Sequence, residues 1–278
     1  TLESIYTTVQ LLDDEGLRSF QSVEEQEKSF WKIQRRAQFT KIDNKREGID
    51  TANERQYLMV LGAPGSGKST FIRKIGLEAL KGKQGKLSYS CIPVFIELKK
   101  FVESEVDIKT LIKKEFETCG FPNPEKLLKS TLEKGKLLIL FDGLDEVPSA
   151  NLSNAIGAIQ DFVDRYSQNR YIASCRIAAY QHNFRRFTDV TIAEFDDRQI
   201  QQFIRNWFQS KLDQEFNTAE NCWKLLQTAE NIAAKELAHT PLLLTFLCLV
   251  YERSQNFPDN RSTLYKKALR ILLEEWAG

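Results

Sequence analysis

Two short stretches carry residue types that can handle phosphate and a divalent cation. The first is Tyr57 to Thr70, YLMVLGAPGSGKST. A hydrophobic run from Tyr57 to Leu61 enters a glycine-rich turn, and a helix is expected to open at Lys68. The pattern Gly62-x-x-x-x-Gly67-Lys68-Ser69 has the spacing of a phosphate-binding loop. Gly62, Gly65 and Gly67 let the backbone aim successive N–H groups at one concavity. The helix N-terminus behind them adds unpaired donors and the positive end of its dipole. Lys68 brings a mobile positive charge to the β- and γ-phosphates, and the Ser69 hydroxyl can ligate Mg²⁺. The plain alternative is an ordinary glycine-rich turn between strand and helix. The strand before and the helix after it weigh against that reading.

The second stretch is Leu137 to Val147, LLILFDGLDEV. Asp142 ends an apolar run, at the carboxyl edge where parallel sheets bind ligands. A carboxylate there can hold Mg²⁺ against the β- and γ-phosphates. Glu146 is placed to orient or deprotonate an attacking water, and Asp145 can assist the metal or the water. By itself this is equally an acidic surface turn; paired with the first stretch it supplies the acid that such a loop needs. A third candidate is Arg176, which follows the run YIASC and can reach the γ-phosphate and stabilise transition-state charge. Arg185 and Arg186 are expected to be solvated. His239 to Tyr251, HTPLLLTFLCLVY, reads as a buried helix with Pro241 at its first position. His239 fits no metal or triad constellation and is read as a structural turn residue.

The elements that position these residues follow from periodicity. Strands are expected at Tyr57–Leu61, Ile92–Leu98, Lys136–Phe141, Tyr171–Cys175 and Thr188–Ile192. Helices are expected at Lys68 to Lys81, Asp107 to Cys119 with Asp107 as N-cap, and Ser153 to Tyr166. Unbroken apolar strands such as KLLILF imply burial on both faces. Repeated β–α alternation predicts an α/β fold with a doubly wound, mostly parallel sheet. From Asp196 onward only helical spacing remains, with Ile200, Phe203, Ile204 and Trp207 on one face and a last helix capped by Ser262 or Thr263. Three regions are therefore expected: a helical lead-in over 1–50, an α/β nucleotide-binding domain over 51–195 and a small all-helical lid over 196–278. In the lead-in, Ile5, Val9, Leu12, Phe30, Ile33 and Ala37 recur at helical spacing, and a basic run follows Glu27.

Composition narrows the classes. With 278 residues and 42% hydrophobic content, the chain can build a sizeable core. A net charge of +1 gives no reason to expect nucleic acid or an anionic membrane as partner. Five cysteines at wide spacing and two histidines, His182 and His239, argue against a zinc site or a disulfide framework. Reduced core thiols and a cytoplasmic location are expected. The longest nearly apolar run, Pro241 to Tyr251, is roughly half of a bilayer span.

Taken together, GAPGSGKST, IPVFIEL, LFDGLDEV, SCR, HTPLLLTFLCLVY and RSTLYKKALRILLEEW resemble the NACHT NTPases of the STAND class, within the AAA+-like P-loop ATPases. The likeness runs from Glu47 to Trp276 and has the style of bacterial, cyanobacterial members. It implies ATP or ADP bound with Mg²⁺ by the loop from Gly62 through Pro64, Gly65, Ser66, Gly67, Lys68 and Ser69 to Thr70. It implies that Ser69 and Asp142 hold the metal, that Asp145 and Glu146 support hydrolysis, and that Arg176 is the sensor arginine. Pro241 matches the proline that packs near the adenine and ribose. The family's winged-helix segment, with its histidine for the ADP β-phosphate, has no match in these residues, so a core excised from a longer protein is expected. The resulting expectation is an ATP-binding switch module with weak, slow hydrolysis, self-associating in the ATP state of the full-length protein. The alternative is a nucleotide-stabilised scaffold that binds partners without turnover. A P-loop kinase or GTPase is disfavoured, because neither an acceptor-site signature nor the NKxD guanine motif is present.

Overall fold

The computed structural model describes residues 6–13, 45–101, 107–180 and 184–277. Hydrophobic strands without alternation form the centre of the sheet. Strands β1 (Gln10–Asp13), β2 (Lys45–Glu47), β3 (Tyr57–Gly62), β4 (Ile92–Glu97), β5 (Leu137–Asp142), β6 (Arg170–Arg176) and β7 (Thr188–Ile192) lie in the order β2-β1-β7-β3-β6-β5-β4. The pairs β7–β3, β3–β6, β6–β5 and β5–β4 are parallel, and β1 joins β7 antiparallel. Every residue of β5 is buried, as an apolar strand covered on both faces must be. The five strands expected from periodicity are all present, within a residue or two of their ends.

The crossover helices are α1 (Gly48–Glu54), α2 (Lys68–Leu80), α3 (Ile108–Thr118), α4 (Pro124–Glu133) and α5 (Leu152–Arg165). Helix α2 packs on β4, β5 and β6 through Phe71, Ile72 and Ile75, which are almost fully buried. Asp107 caps α3 as expected, accepting from the Lys109 amide at 3.0 Å. Helix α4 is an addition to the sequence reading. Pro124 opens it, after Asn123 in a left-handed conformation, and Leu128 and Leu132 bury its inner face. Asn169 ties these parts together at the end of the sheet away from Asp142. Its side chain is fully buried, accepts from the Leu137 amide and donates to the carbonyls of Leu132 and Tyr166.

The lead-in departs from expectation. Val9 and Leu11 are buried in an extended segment, with Leu11 opposite Ile192 across β1 and β7. A helical spacing of apolar residues is here outweighed by a two-residue alternation that pairs with the sheet edge. Ile5, Phe30, Ile33, Ala37, His182 and the basic run up to Lys41 lie outside the described residues, whereas its last members, Lys45 and Arg46, fall in β2, where Arg46 pairs with Glu54 at 2.7 Å.

By contacts the chain forms two compact units. One comprises residues 11–64 and 68–192, the other residues 1–10, 65–67 and 193–278. The second unit is helical, with α6 (Asp197–Trp207), α7 (Lys211–Glu215), α8 (Thr218–Leu226), α9 (Ile232–Ala238), α10 (Pro241–Ser254) and α11 (Arg261–Ala277). Asp196 and Gln199 form a reciprocal capping box at α6. The cap of α11 is Asn260, whose side chain accepts from the Thr263 amide at 2.9 Å, and not Ser262 or Thr263. Ile200, Leu244, Leu247, Cys248 and Leu264 are at the centre of this unit's core. Cys175, Cys222 and Cys248 are buried free thiols as expected of core cysteines, whereas Cys119 is exposed. Among the described residues, no helix is long and apolar enough to cross a membrane.

Candidate functional site

The loop after β3 takes its shape from two glycines. Gly65 and Gly67 have φ of +75° and +95°, a region costly for residues with a Cβ. Lys68 then opens α2 and turns its ammonium back over the loop, donating to the carbonyls of Gly62 at 2.9 Å and Ala63 at 3.1 Å. Burial pushes the Lys68 pKa below its ordinary value; the nearby carboxylate of Asp145 works against this and the Arg176 guanidinium with it. Pro64 is exposed and Thr70 half-buried. The Oγ of Ser66 is buried without a hydrogen-bond partner.

Strand order decides what stands beside this loop. β6 runs between β3 and β5, with Gly62 opposite Arg176 in register. The carboxyl ends of the three strands therefore place the phosphate loop, the SCR segment and Asp142 at one edge. Asp142 is buried, and its Oδ1 accepts from Ser69 Oγ at 3.0 Å and from Ser174 Oγ at 2.7 Å. Gly143 has φ +80° and turns the chain so that its amide donates to Ser174 Oγ at 2.9 Å. Asp145 faces Arg176 with both oxygens. Its Oδ1 accepts from the Arg176 amide at 2.9 Å and its Oδ2 from Nε at 2.8 Å. The Asp145 side chain is 7% exposed and that of Arg176 51%, so the acid is the fixed partner and the guanidinium the reachable one. Glu146 is exposed, with its side chain folded over Gly143: a Cβ placed on Gly143 would lie 3.0 Å from Glu146 Cδ.

Lys68, Ser69, Asp142, Asp145, Glu146 and Arg176 are thus gathered at one edge of the α/β unit. Ser174 belongs with them and was not singled out from sequence. The available signal was a single serine inside the mostly apolar run of Tyr171 to Cys175. Arg185 and Arg186 are both exposed as expected, and Arg186 pairs with Asp164. In the helical unit, which takes in residues 65–67, Pro241 is the first residue of α10. Its Cγ would lie 4.0 Å from a Cβ placed on Gly67. The Leu242 amide donates to the Gly65 carbonyl at 3.2 Å. His239 is structural: its Nδ1 donates to the Phe195 carbonyl at 2.6 Å, and its own carbonyl accepts from the Phe195 amide at 3.0 Å.

The donor set fits a nucleotide with Mg²⁺. A hydroxyl and a carboxylate that already share a hydrogen bond are hard oxygen ligands of the kind that cation takes. The orphaned Ser66 Oγ, the positive-φ glycines and the Lys68 ammonium suit phosphate oxygens.

No curated protein matches the chain. Solved structures similar to it include a signal transduction ATPase with numerous domains (STAND) and a tetratricopeptide repeat sensor from Pyrococcus horikoshii, at 16% identity and TM-score 0.45, covering 80% of this chain and 31% of that one. They also include the RuvB Holliday junction branch migration motor of Thermotoga maritima, at 12% identity and TM-score 0.38, covering 90% of this chain and 72% of that one. A Walker-type ATPase of Pyrococcus abyssi matches at 14% identity and TM-score 0.43, covering 82% of this chain and 73% of that one. The chain spans about a third of the length of the first of these. The family profile of the NACHT domain matches residues 56–211, more than half of the 278. With that match and a phosphate-loop strand, an acidic strand and an intervening arginine strand in one parallel sheet, the chain belongs to the NACHT family of P-loop NTPases.

Proposed function

We propose that this chain is the ATP-binding switch module of a signalling or defence protein, with slow Mg²⁺-dependent hydrolysis of ATP to ADP. The observation that carries the reading is the meeting of Ser69 and Asp142 at 3.0 Å, beside Lys68 and the Asp145–Arg176 pair. In it, the loop from Gly62 to Thr70 binds the phosphates through its amides. Lys68 exchanges its two loop carbonyls for phosphate oxygens and offsets charge that develops on them. Ser69 and Asp142 hold Mg²⁺, which when bound neutralises charge on the β- and γ-phosphates. Glu146 orients the attacking water and accepts its proton. Asp145 holds Arg176 at the γ-phosphate side.

Slow turnover is expected where a group supplied by another subunit completes the site; unassisted P-loop enzymes work at well under about one turnover per second. Self-association in the ATP state and a cytoplasmic location belong to the same proposal. Equilibrium binding of a fluorescent ADP or ATP analogue tests it. Wild type should bind with Mg²⁺ present, and Lys68→Ala should lose binding. Equal affinity in the two proteins would remove the phosphate-binding assignment.

A further inference from the structure

We propose that Ser174 is a positioning residue that sets the orientation of the Asp142 carboxylate for Mg²⁺, an inference that rests on the nucleotide-binding reading above. Ser174 is 1% exposed, in the strand between the phosphate-loop strand and the strand of Asp142. A hydroxyl so deeply buried must find partners, and here both are in the acidic turn. Its oxygen accepts from the Gly143 amide at 2.9 Å. An amide can only donate, so the hydroxyl hydrogen is free to point elsewhere, and it points to Asp142 Oδ1 at 2.7 Å. The relay Gly143 N–H to Ser174 Oγ–H to Asp142 Oδ1 therefore has one direction.

The consequence is geometric. Asp142 is the last residue of β5, and beyond it the chain turns through Gly143 at φ +80°. Ser174 grips both sides of that turn, the carboxylate before it and the amide after it. It thereby limits rotation of the Asp142 side chain without spending its own oxygen on a ligand. Ser69 touches the same Oδ1 at 3.0 Å, but it stands on the loop that phosphate binding engages. The contact from Ser174 comes instead from the sheet, whose register with β5 is set by backbone pairing. A rigid element behind a metal ligand is what outer-shell positioning requires.

The test is a Mg²⁺ titration of fluorescent ADP binding by the full chain, in wild type and Ser174→Ala, with a parallel measurement in EDTA. The expected result is a Mg²⁺ midpoint raised by about 10–100-fold, as for other outer-shell partners, with EDTA affinity close to wild type, and a modestly lower thermal midpoint because the buried Gly143 amide loses its acceptor. Ser174→Cys keeps a polar hydrogen at the same position, on a larger atom and as a weaker donor, and its midpoint should also rise. It carries the test if the alanine variant does not fold. An unchanged Mg²⁺ midpoint in a folded variant overturns the proposal. So does an equal loss of affinity with and without Mg²⁺, which marks a purely structural serine. If wild type itself binds ADP no better with Mg²⁺ than in EDTA, the metal assignment of Ser69 and Asp142 fails, and the positioning role falls with it.

Discussion

Glu78→Gln tests how the phosphate-loop helix is anchored at its far end. Glu78 lies on α2, the helix that Lys68 opens, and its side chain is only 4% exposed. It accepts from Lys81 Nζ at 2.9 Å and from the Lys86 amide at 3.0 Å, and pairs with Lys74 Nζ at 3.0 Å. Burial alone would raise the pKa of this carboxyl; the hydrogen bonds from Lys81, Lys74 and the Lys86 amide outweigh it and hold the value at about 2, against an ordinary 4.5. At about 1.4 kcal/mol for each tenfold change in proton affinity, that drop sets a ceiling of about 3.4 kcal/mol on stability gained at neutral pH. Lys74 and Lys81 are 17% and 40% exposed, so water screens part of the attraction and about 2 kcal/mol is expected. The folded pKa lies below the unfolded one. The contribution is therefore complete above pH 4.5 and is lost as pH falls toward 2. Urea denaturation of wild type and Glu78→Gln from pH 7 to pH 3 reads this directly. The gap between the two proteins should be about 2 kcal/mol at pH 7 and less than half of that at about pH 3. A gap that stays constant across the series would refute the ionic account of this anchor.

Two further substitutions address the acidic turn. Glu146→Gln keeps the size of the side chain but cannot take a proton, so nucleotide affinity should stay near wild type while single-turnover hydrolysis slows by about 100-fold or more; hydrolysis at the wild-type rate would exclude Glu146 as the base. Gly143→Ala puts a Cβ on a backbone at φ +80° and 3.0 Å from Glu146 Cδ. It should cost about 1–2 kcal/mol in urea denaturation, with hydrolysis impaired more than binding because Glu146 is displaced. Wild-type stability in that variant would show that the turn relaxes without strain.

Much of the α/β unit was legible because its signals are local. Runs such as YLMVL and KLLILF lose alternation when both faces are covered, and they announced β3 and β5 within a residue. Less legible was anything decided by a distant partner. Val9 and Leu12 fit a helical face in sequence, and only the pairing of Leu11 and Leu12 with β7 shows the segment as a strand. Helix α4 is short, and the glycine and prolines around it read as loop until α3 packs against it. The N-cap of α11 passed to Asn260 because its side-chain carbonyl reaches the Thr263 amide, a choice that Ser262 and Thr263 disguise in sequence.

The same division holds at the site. Spacing alone marked Gly62 to Ser69 as a glycine-rich turn between strand and helix and Asp142 as the end of a buried strand, because backbone conformation and strand burial are properties of contiguous residues. Sequence left Asp145 free to serve metal or water, and it left Ser174 unnoticed. Tertiary structure committed Asp145 to Arg176 and Ser174 to Asp142. The physical reason is strand order: β6 enters between β3 and β5. Only that insertion brings residues far apart in the chain within hydrogen-bond reach of a carboxylate whose surroundings no local pattern encodes.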